Sequence, residues 1–447
     1  MLPDDAILEI FDSYLYGCRY EERERAWQSL VHVCRRWRHI VFGSPRRLNL
    51  QLTCTGGTPT RDRLDIWPAL PLIVEVSEDE PIRSVDDIVA GLERTSRVRQ
   101  IDITNVAISD LLVAMQQPFP EMTYIRLWPT DDEVPVVPDS FLGGSAPRLK
   151  YITWSSIPCP GSPKLLLSAT HLDSLHLHDI PHSGYFSPDA MVTVLSTLTS
   201  LSYLWLSFQS PRSCPDPASR RPPPLTRYVL PGFKLLRFRG VSEYLEDLVA
   251  CIEAPHLYVL DITFFYDIDF DTPQFMQFIS RTPMSREPEK AQITLWDYSA
   301  RFSSFSSRYI GREFKIEISC KRLDWQLSSL GQVCTPFLHL LSMLEDLSFS
   351  MESRLQPDRK DDSEDGLWLE LLQPFPTVKN LHLSEKVAPL FVPALQELVE
   401  GRTTEVLPIL QNIFLRGPES SGPVQEGIGK FVAARQVADH PIAVSWT

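Results

Sequence analysis

Four histidines between residues 171 and 182 come closest, in type and spacing, to a chemical site. His176 and His178 are two residues apart, so in a strand both imidazoles would lie on one face, which suits a divalent metal. His171 and His182 flank this pair. No acidic or cysteine side chain completes the set at a ligand spacing, so the sequence predicts neither a metal site nor a cofactor.

Other catalytic patterns do not occur in the sequence. The eight cysteines show no C-x-x-C pair and no Cys/His ligand spacing, which predicts free thiols in a reducing compartment. There is no G-x-S-x-G, P-loop or G-x-G-x-x-G motif. The carboxylate pairs at 131–132 and 361–362 stand in polar stretches and predict solvated turns. We therefore expect a protein that is not an enzyme, and an enzyme with a dispersed site has the least support.

Charge and hydropathy narrow the classes of partner and compartment. With 43 basic and 57 acidic residues the net charge is −14, so neither nucleic acid nor an anionic membrane is an expected partner. Residues 19–47 reverse this sign, with eight arginines against three glutamates. The acidic start differs from a secretory signal, and no apolar run is long enough to span a membrane. A cytoplasmic or nuclear soluble protein is expected.

A short apolar pattern, apolar-x-x-apolar-x-apolar, recurs along most of the chain. Each copy predicts a short strand whose last two apolar residues share one face. Two earlier strands are predicted in RLNLQL and LPLIVEV, and two more near 293–295 and 316–318. The other copies begin at Val98, Met122, Leu149, Leu172, Leu201, Phe233, Leu257, Leu344, Val378 and Leu410.

Helical stretches separate these strands. They include SPDAMVTVLSTL, in which Ser187 is the expected N-cap and Pro188 the first helical residue, as well as SEYLEDLVACI and LGQVCTPFLHLLSML. Strand–helix units at this spacing are typical of leucine-rich repeats, in which stacked units share one core. We predict an α/β fold: a small helical domain at 1–46, then an irregular leucine-rich-repeat-like solenoid at 47–447 with a mostly parallel sheet. The alternative is an ordinary α/β domain with Leu-rich strands.

The ends and insertions of this array are also predictable. Two polar stretches, 210–224 and 357–366, predict exposed loops. The C-terminal segment QEGIGKFVAARQVADHPIAVSW predicts a helix and a last strand that close the array.

Side chains that alternate with the buried apolar pairs would line one exposed sheet face. Aromatic and arginine side chains dominate binding hot spots, so we expect a capture surface for a protein substrate there. Its centre is predicted at Trp128, Tyr151, Tyr203 and Trp205; the alternative is that loops or the C-terminal segment cover the face. The full set of predicted substrate-binding residues is Tyr124, Trp128, Tyr151, Tyr203, Trp205, Arg237 and Trp296.

The N-terminal helices have apolar residues on more than one side. In the first helix Ile7, Ile10, Phe11 and Tyr14 follow helical spacing, and leucines at 8 and 15 add a second stripe. From Trp27 to Arg38 a further helical face continues, with Val33 and Ile40 on its other side. A helical segment this short cannot bury both of its apolar sides by itself. The second side must therefore pack against either the repeats or another protein.

These residues resemble the F-box. Leu2-Pro3, Ile7-Leu8, Ile10-Phe11 and Leu15, followed by Leu30-Val31 and Val33 to Arg38, match nearly all of its anchors. The stretches that follow, GSPRRLNLQL and RDRLDIWPALPLIVEV, are similar to F-box proteins of mushroom-forming fungi. Two features depart from the pattern: the loop between the helices is longer and more charged, and Asp5 stands where the family usually has Glu. Only one residue precedes this pattern, so we expect that an upstream segment is missing from this sequence.

The resemblance implies an adaptor function. F-box proteins dock onto the Skp-type adaptor of a Skp–cullin–F-box ubiquitin ligase, and their C-terminal domain captures the substrate; the ligase chemistry belongs to the partners. The alternative is a non-catalytic repeat scaffold that takes no part in ubiquitin ligation and packs these helices on its own repeats. The positions carried over as adaptor-binding, without separating contacts from internal packing, are Leu2, Pro3, Ile7, Leu8, Ile10, Leu15, Leu30, Val31, Val33, Cys34 and Trp37.

Overall fold

The structure of the 447-residue chain is a computed structural model. It describes residues 2–19, 22–57, 60–77, 85–130, 134–159, 164–215, 224, 226–265, 272–283, 288–305, 312–337, 341, 343–352, 364–399, 404–417 and 422–446. The chain divides into two compact units. Unit 1 comprises residues 1–186 and 197–201, and unit 2 comprises residues 187–196 and 202–447.

Three helices open unit 1: α1 (Asp4–Tyr16), α2 (Arg23–Val33) and α3 (Arg35–Gly43). The helical face predicted to run on through Trp37 is broken at Cys34, whose backbone is extended (φ −159°, ψ 168°). The Cys34 Sγ accepts a hydrogen bond from the backbone N–H of Trp37 at 3.4 Å. Cys34 is therefore the N-cap of a new helix, although cysteine is not among the residue types that usually occupy this position.

The rest of unit 1 alternates strands with helices. Its strands lie side by side in chain order, every adjacent pair is parallel, and they are β1 (Leu52–Thr55), β2 (Leu72–Val76), β3 (Val98–Val106), β4 (Tyr124–Pro129), β5 (Tyr151–Ser155) and β6 (Ser174–Ile180). Its further helices are α4 (Thr60–Ile66), α5 (Val85–Leu92), α6 (Ser109–Ala114) and α7 (Lys164–Ser168).

Unit 2 has the same alternation over a longer sheet. Its helices are α8 (Pro188–Thr197, of which Thr197 is grouped with unit 1), α9 (Ser242–Ala250), α10 (Pro273–Arg281), α11 (Leu323–Cys334), α12 (Glu364–Leu372), α13 (Ala388–Glu397) and α14 (Pro423–Val437). Its strands are β7 (Tyr203–Phe208), β8 (Tyr228–Val229), β9 (Leu235–Gly240), β10 (Ile252–Glu253), β11 (Val259–Phe265), β12 (Lys290–Leu295), β13 (Ala300–Phe305), β14 (Glu313–Ser319), β15 (Asp346–Met351), β16 (Asn380–Leu383), β17 (Asn412–Leu415) and β18 (Ala443–Trp446).

The order in the sheet of unit 2 is β7-β9-β11-β14-β13-β12-β15-β16-β17-β18, while β8 and β10 pair only with each other. All but two of the adjacent pairs given for this sheet are parallel. The exceptions flank β13, which runs antiparallel between β12 and β14. The apolar spacing did not predict β13. This strand interrupts the strand–helix alternation. The α/β class with a mostly parallel sheet is confirmed.

The predicted two-residue alternation in the strands is confirmed. In β6 Leu175 and Leu177 are buried while the alternating residues His176 and His178 are half-exposed. The same pattern holds in β14, where Phe314, Ile316 and Ile318 face the core. In each unit, one side of the strands therefore carries the apolar core, and the other side presents polar and aromatic side chains.

Several predicted helix bounds are confirmed and others are wrong. Ser187 accepts a hydrogen bond from the N–H of Ala190 at 3.2 Å and caps α8 as expected. The helix predicted from Leu330 onward instead begins at Leu323 and gives way at Thr335 to a short 3-10 turn, because Pro336 cannot continue an α-helix. The C-terminal helix and strand are confirmed as α14 and β18.

The predicted exposed loops lie partly outside the described residues. For the first, 210–215 and 224 are described, without helix or strand. For the second, only 364–366 are described, and these residues begin α12, so the loop prediction is wrong there. The carboxylate pairs at 131–132 and 361–362 also lie outside the described residues. Among the helices that are described, none is long and apolar enough to cross a membrane.

Candidate functional site

The N-terminal helices leave large apolar side chains in solvent. Leu2 is 56% exposed, Ile10 54% and Val33 59%. Pro3 is exposed as well, and Trp37 is half-buried. We call Leu2, Pro3, Ile10, Val33 and Trp37 the apolar docking surface. Isolated exposed apolar residues are ordinary, but several on one small helical module are typical of an interaction site.

Arg36 holds two parts of this surface in place. Its guanidinium binds the Asp4 carboxylate and the backbone carbonyl oxygen of Leu2, which fixes Leu2 beside the start of α3. Val33 is the last residue of α2 and also lies next to the start of α3. The Phe11 and Trp37 rings, 4.8 Å apart and edge-on, pack α1 against α3.

Most of the remaining predicted adaptor-binding residues are buried. Ile7, Leu8, Leu15, Leu30 and Val31 are each less than a tenth exposed and form the core of the module. Cys34 is exposed but serves as a helix cap. The sequence grouped Ile10 and Tyr14 with Ile7 and Phe11 on one apolar face, and this is wrong, since Ile10 and Tyr14 face solvent.

The side of the N-terminal helices that faces away from solvent packs against later residues of the same chain. The Trp27 indole lies edge-on 5.2 Å from Trp67, and its Nε1 donates to the carbonyl oxygen of Gln51 at 3.2 Å. The Glu24 carboxylate accepts a hydrogen bond from the N–H of Thr53 at 2.7 Å and forms an ion pair with Arg63. The widely apolar helices thus bury one side within the module and a second side against β1 and α4.

The exposed sheet face of unit 1 carries part of the predicted capture surface. Tyr124 and Tyr151 are register partners on β4 and β5, with ring centroids 6.2 Å apart. Trp128 is 45% exposed and stacks on His178 at 5.9 Å. The His176 and His178 rings are neighbours at 5.9 Å, but the described residues contain no group of three or more side chains that could hold a metal ion.

In unit 2 the corresponding face is an ordered series of aromatic and charged side chains. The Arg237 guanidinium lies 4.8 Å from the centre of the Trp205 ring, and its Nε is 3.5 Å from the Asp261 carboxylate. Strand register places Asp261 next to Lys315. Burial raises the pKa of Asp261 above its ordinary value, although the Lys315, Arg237 and Arg301 cations act to lower it.

A second series on this face surrounds Trp296. The Trp296 Nε1 donates to the Glu352 carboxylate at 3.0 Å, and the Arg301 guanidinium lies 4.9 Å from the ring centre. Arg301 also donates from two nitrogens to one carboxylate oxygen of Glu317. These contacts hold the rings and charges in fixed positions, so less side-chain entropy is lost when a partner binds.

The predicted centre of the capture surface is divided between the two units. Trp128 and Tyr151 belong to unit 1, and Tyr203 and Trp205 belong to unit 2. Each pair is half-exposed or exposed on its own sheet face. That the four side chains act as one cluster stays a prediction.

Sequence reasoning missed some residues of this face. Arg301 was missed because it lies on the unpredicted strand β13. Lys315 was also missed, although the alternating charges of EFKIEI, from Glu313 to Ile318, are the signal that could have found it.

The prediction of free thiols is confirmed for all eight cysteines, and the reducing compartment stays a prediction. Burial raises the pKa of Cys54 to about 11 and that of Cys159 to about 12, which keeps both thiols protonated and unreactive. Neither is placed for nucleophilic chemistry.

No protein-family model matches the chain, and no curated protein matches it.

Proposed function

We propose that this chain is a non-catalytic substrate-recognition subunit of a Skp–cullin–F-box ubiquitin ligase, acting in the cytoplasm or nucleus. The N-terminal helices dock the Skp-type adaptor and through it the cullin. The exposed sheet faces capture a protein substrate. The observation that carries the proposal is the exposure of Leu2, Ile10 and Val33, which all stand at anchor positions of the F-box resemblance.

The energetics favour a partner at this surface. Covering one large apolar side chain contributes about 1.5–3 kcal/mol, so three side chains that are more than half exposed could support a stable contact. The core positions Ile7, Leu8 and Phe11 hold α1 in a fixed orientation, so its outward residues need no rearrangement to bind.

One observation favours the alternative, a repeat scaffold that takes no part in ubiquitin ligation. The Trp27 and Glu24 contacts show that the helices do pack on their own chain. That packing uses a different side of the module from Leu2, Ile10 and Val33, so it leaves the docking surface uncovered. The two functions therefore make different predictions for these three residues.

The experiment is co-purification of a Skp-type adaptor with the full chain. Ile10→Asp combined with Val33→Asp places two charges in the docking surface, and we expect adaptor recovery to fall at least about tenfold. Val113→Asp with Val136→Asp is the matched control, because both residues are exposed outside the module. Equal recovery with both double variants would leave the scaffold as the better account.

The capture faces are tested with the same proteins. Trp128→Ala with Trp205→Ala removes one exposed or half-exposed indole from each sheet face. We expect adaptor recovery to stay normal. Proximity labelling under proteasome inhibition should no longer detect the proteins that accumulate near the parent chain. An unchanged set of labelled proteins would contradict substrate capture by these faces.

A further inference from the structure

A groove in unit 1 concentrates positive charge in an acidic protein. It has a volume of about 740 Å³ and lies at the edge of the sheet where the strands begin. Pro71, Arg97 and Thr123 each stand directly before a strand, at the starts of β2, β3 and β4. Four arginines line the groove, Arg46, Arg97, Arg99 and Arg148, against one acidic residue, Glu121. We call this site the arginine groove.

The four guanidinium groups are unequally compensated. Arg148 is paired with Glu121. Arg97 donates to the backbone carbonyl oxygens of Leu70 at 2.9 Å and Pro68 at 3.3 Å, contacts that orient it without neutralising its charge. The guanidiniums of Arg46 and Arg99 make no hydrogen bond or ion pair within the described part of the chain.

Burial and charge act together on Arg97. Burial lowers its pKa below the ordinary arginine value; an ionised Cys54 would raise it, and the nearby Arg94 cation lowers it further. An anion in the groove would offset both unfavourable effects. Because the whole chain carries a net charge of −14, a local excess of arginine is not a general property of its surface.

The separation of the arginines indicates a ligand that carries more than one anionic group. Arg99 lies on β3 and Arg148 precedes β5, two strands away, so their backbones are roughly 10 Å apart. Pro45, Leu70 and Pro71 also line the groove. Carboxylates on alternate residues of an extended chain are about 7 Å apart, which lets an extended peptide reach several of these guanidiniums.

We propose that the arginine groove binds an acidic peptide segment of a partner protein. This site is separate from the exposed sheet face and from the docking surface, and the proposal does not depend on the adaptor function. The guanidinium groups of Arg46 and Arg99 supply the unpaired charges that recognise the carboxylates.

The test is fluorescence anisotropy with the full chain and a labelled peptide of alternating Glu and Asp residues. We expect saturable binding that weakens at least about fivefold when NaCl is raised from about 0.05 M to about 0.3 M. Arg46→Gln with Arg99→Gln should weaken binding about tenfold or more. Arg25→Gln with Arg61→Gln removes the same charge from exposed sites outside the groove and should change affinity less than about twofold.

Three outcomes would overturn the proposal. They are the absence of saturable binding, equal binding of a Gln/Asn peptide of the same length, and equal losses in the two double variants. Pyrophosphate is the comparison anion: if it binds with the same dependence on Arg46 and Arg99 while the peptide does not, the ligand is a phosphate and the peptide assignment is wrong. Unfolding temperatures of both double variants, expected to match the parent, exclude loss of fold.

Discussion

At the residue scale, Glu246 on α9 is a buried polar side chain of unit 2 that links two helices. It is 9% exposed, and its two carboxylate oxygens accept the N–H groups of Gln274 at 3.0 Å and Phe275 at 2.7 Å. These are unpaired donors of the first turn of α10, where the residue preceding the helix, Thr272, provides no side-chain cap. Glu246 therefore caps one helix from its neighbour.

Removing this cap should destabilise the protein. Glu246→Ala leaves the buried N–H of Phe275 and the part-buried N–H of Gln274 without an acceptor, and we expect the free energy of unfolding to fall by about 2–3 kcal/mol. Chemical denaturation measures this change. Glu243→Ala on the same helix is the control, and since Glu243 is exposed we expect a loss below about 0.5 kcal/mol. Equal losses at both positions would contradict the capping role.

The thiols give a second prediction at this scale. Cys34 and Cys214 are exposed, whereas Cys54 and Cys159 are buried and their pKa values are raised to about 11 and about 12. Because thiolates are the reactive form, iodoacetamide at about pH 8 should alkylate the exposed pair and spare the buried pair. Peptide mass spectrometry measures this, and equal labelling of Cys54 and Cys34 would contradict the described burial.

The same shifts have a consequence for stability. A pKa raised by burial means that the unfolded thiol loses its proton first as the pH rises. The stability that Cys54 contributes is therefore complete below its ordinary value of 9.0 and is lost as the pH rises toward about 11.

At the element scale, α2 joins the N-terminal module to the sheet of unit 1. Glu24 links three partners: Gln28 on its own helix at 2.9 Å, the N–H of Thr53 on β1 at 2.7 Å, and Arg63 on α4. Side chains of Glu24 and Arg63 are mostly buried, so this ion pair is screened less than a surface pair. The module is thereby fixed to β1 and α4.

Breaking this link should loosen the module locally. We expect Glu24→Gln to speed amide hydrogen exchange in α2 and β1 several-fold, because the Thr53 N–H and the Arg63 cation lose their charged partner. Glu9→Gln is the control, since Glu9 pairs with Arg47 at an exposed site. Unchanged exchange in β1 would contradict this role of Glu24.

Much of the element scale could be predicted from the sequence, because the core imposes simple periods. Alternating apolar residues such as Leu175 and Leu177 must share a sheet face, and this predicted most strands and their exposed side. The break at Cys34 could not be predicted, because a sulfur atom caps the helix there without Gly or Pro. Strand β13 was missed because its ARFSSF sequence lacks the recurring apolar spacing.

The candidate site was predictable in residue type but not in orientation. Two apolar stripes on α1 satisfy helical spacing equally well, so the pattern does not tell whether Ile10 or Leu8 faces inward. Packing decides this: Phe11 meets Trp37, which turns Ile10 and Tyr14 outward. Only the folded arrangement separates exposed positions from core positions among the F-box-like anchors.

At the scale of the whole molecule, the chain places its candidate binding features on different surfaces. The docking surface lies on the N-terminal helices of unit 1, the arginine groove lies at the edge of its sheet, and aromatic rings and charges occupy the exposed face of each sheet. An adaptor subunit must hold the ligase and a substrate at the same time, so separate surfaces are what the proposed function requires.

We propose above all that the N-terminal helices bind a Skp-type adaptor. The most direct measurement is a calorimetric titration of the purified full chain with a purified adaptor. We predict a one-to-one complex with a Kd of about 1 μM or tighter, which corresponds to at least about 8 kcal/mol of binding free energy. No heat of binding with both proteins at tens of micromolar, confirmed by separate elution of the two proteins, would contradict the claim.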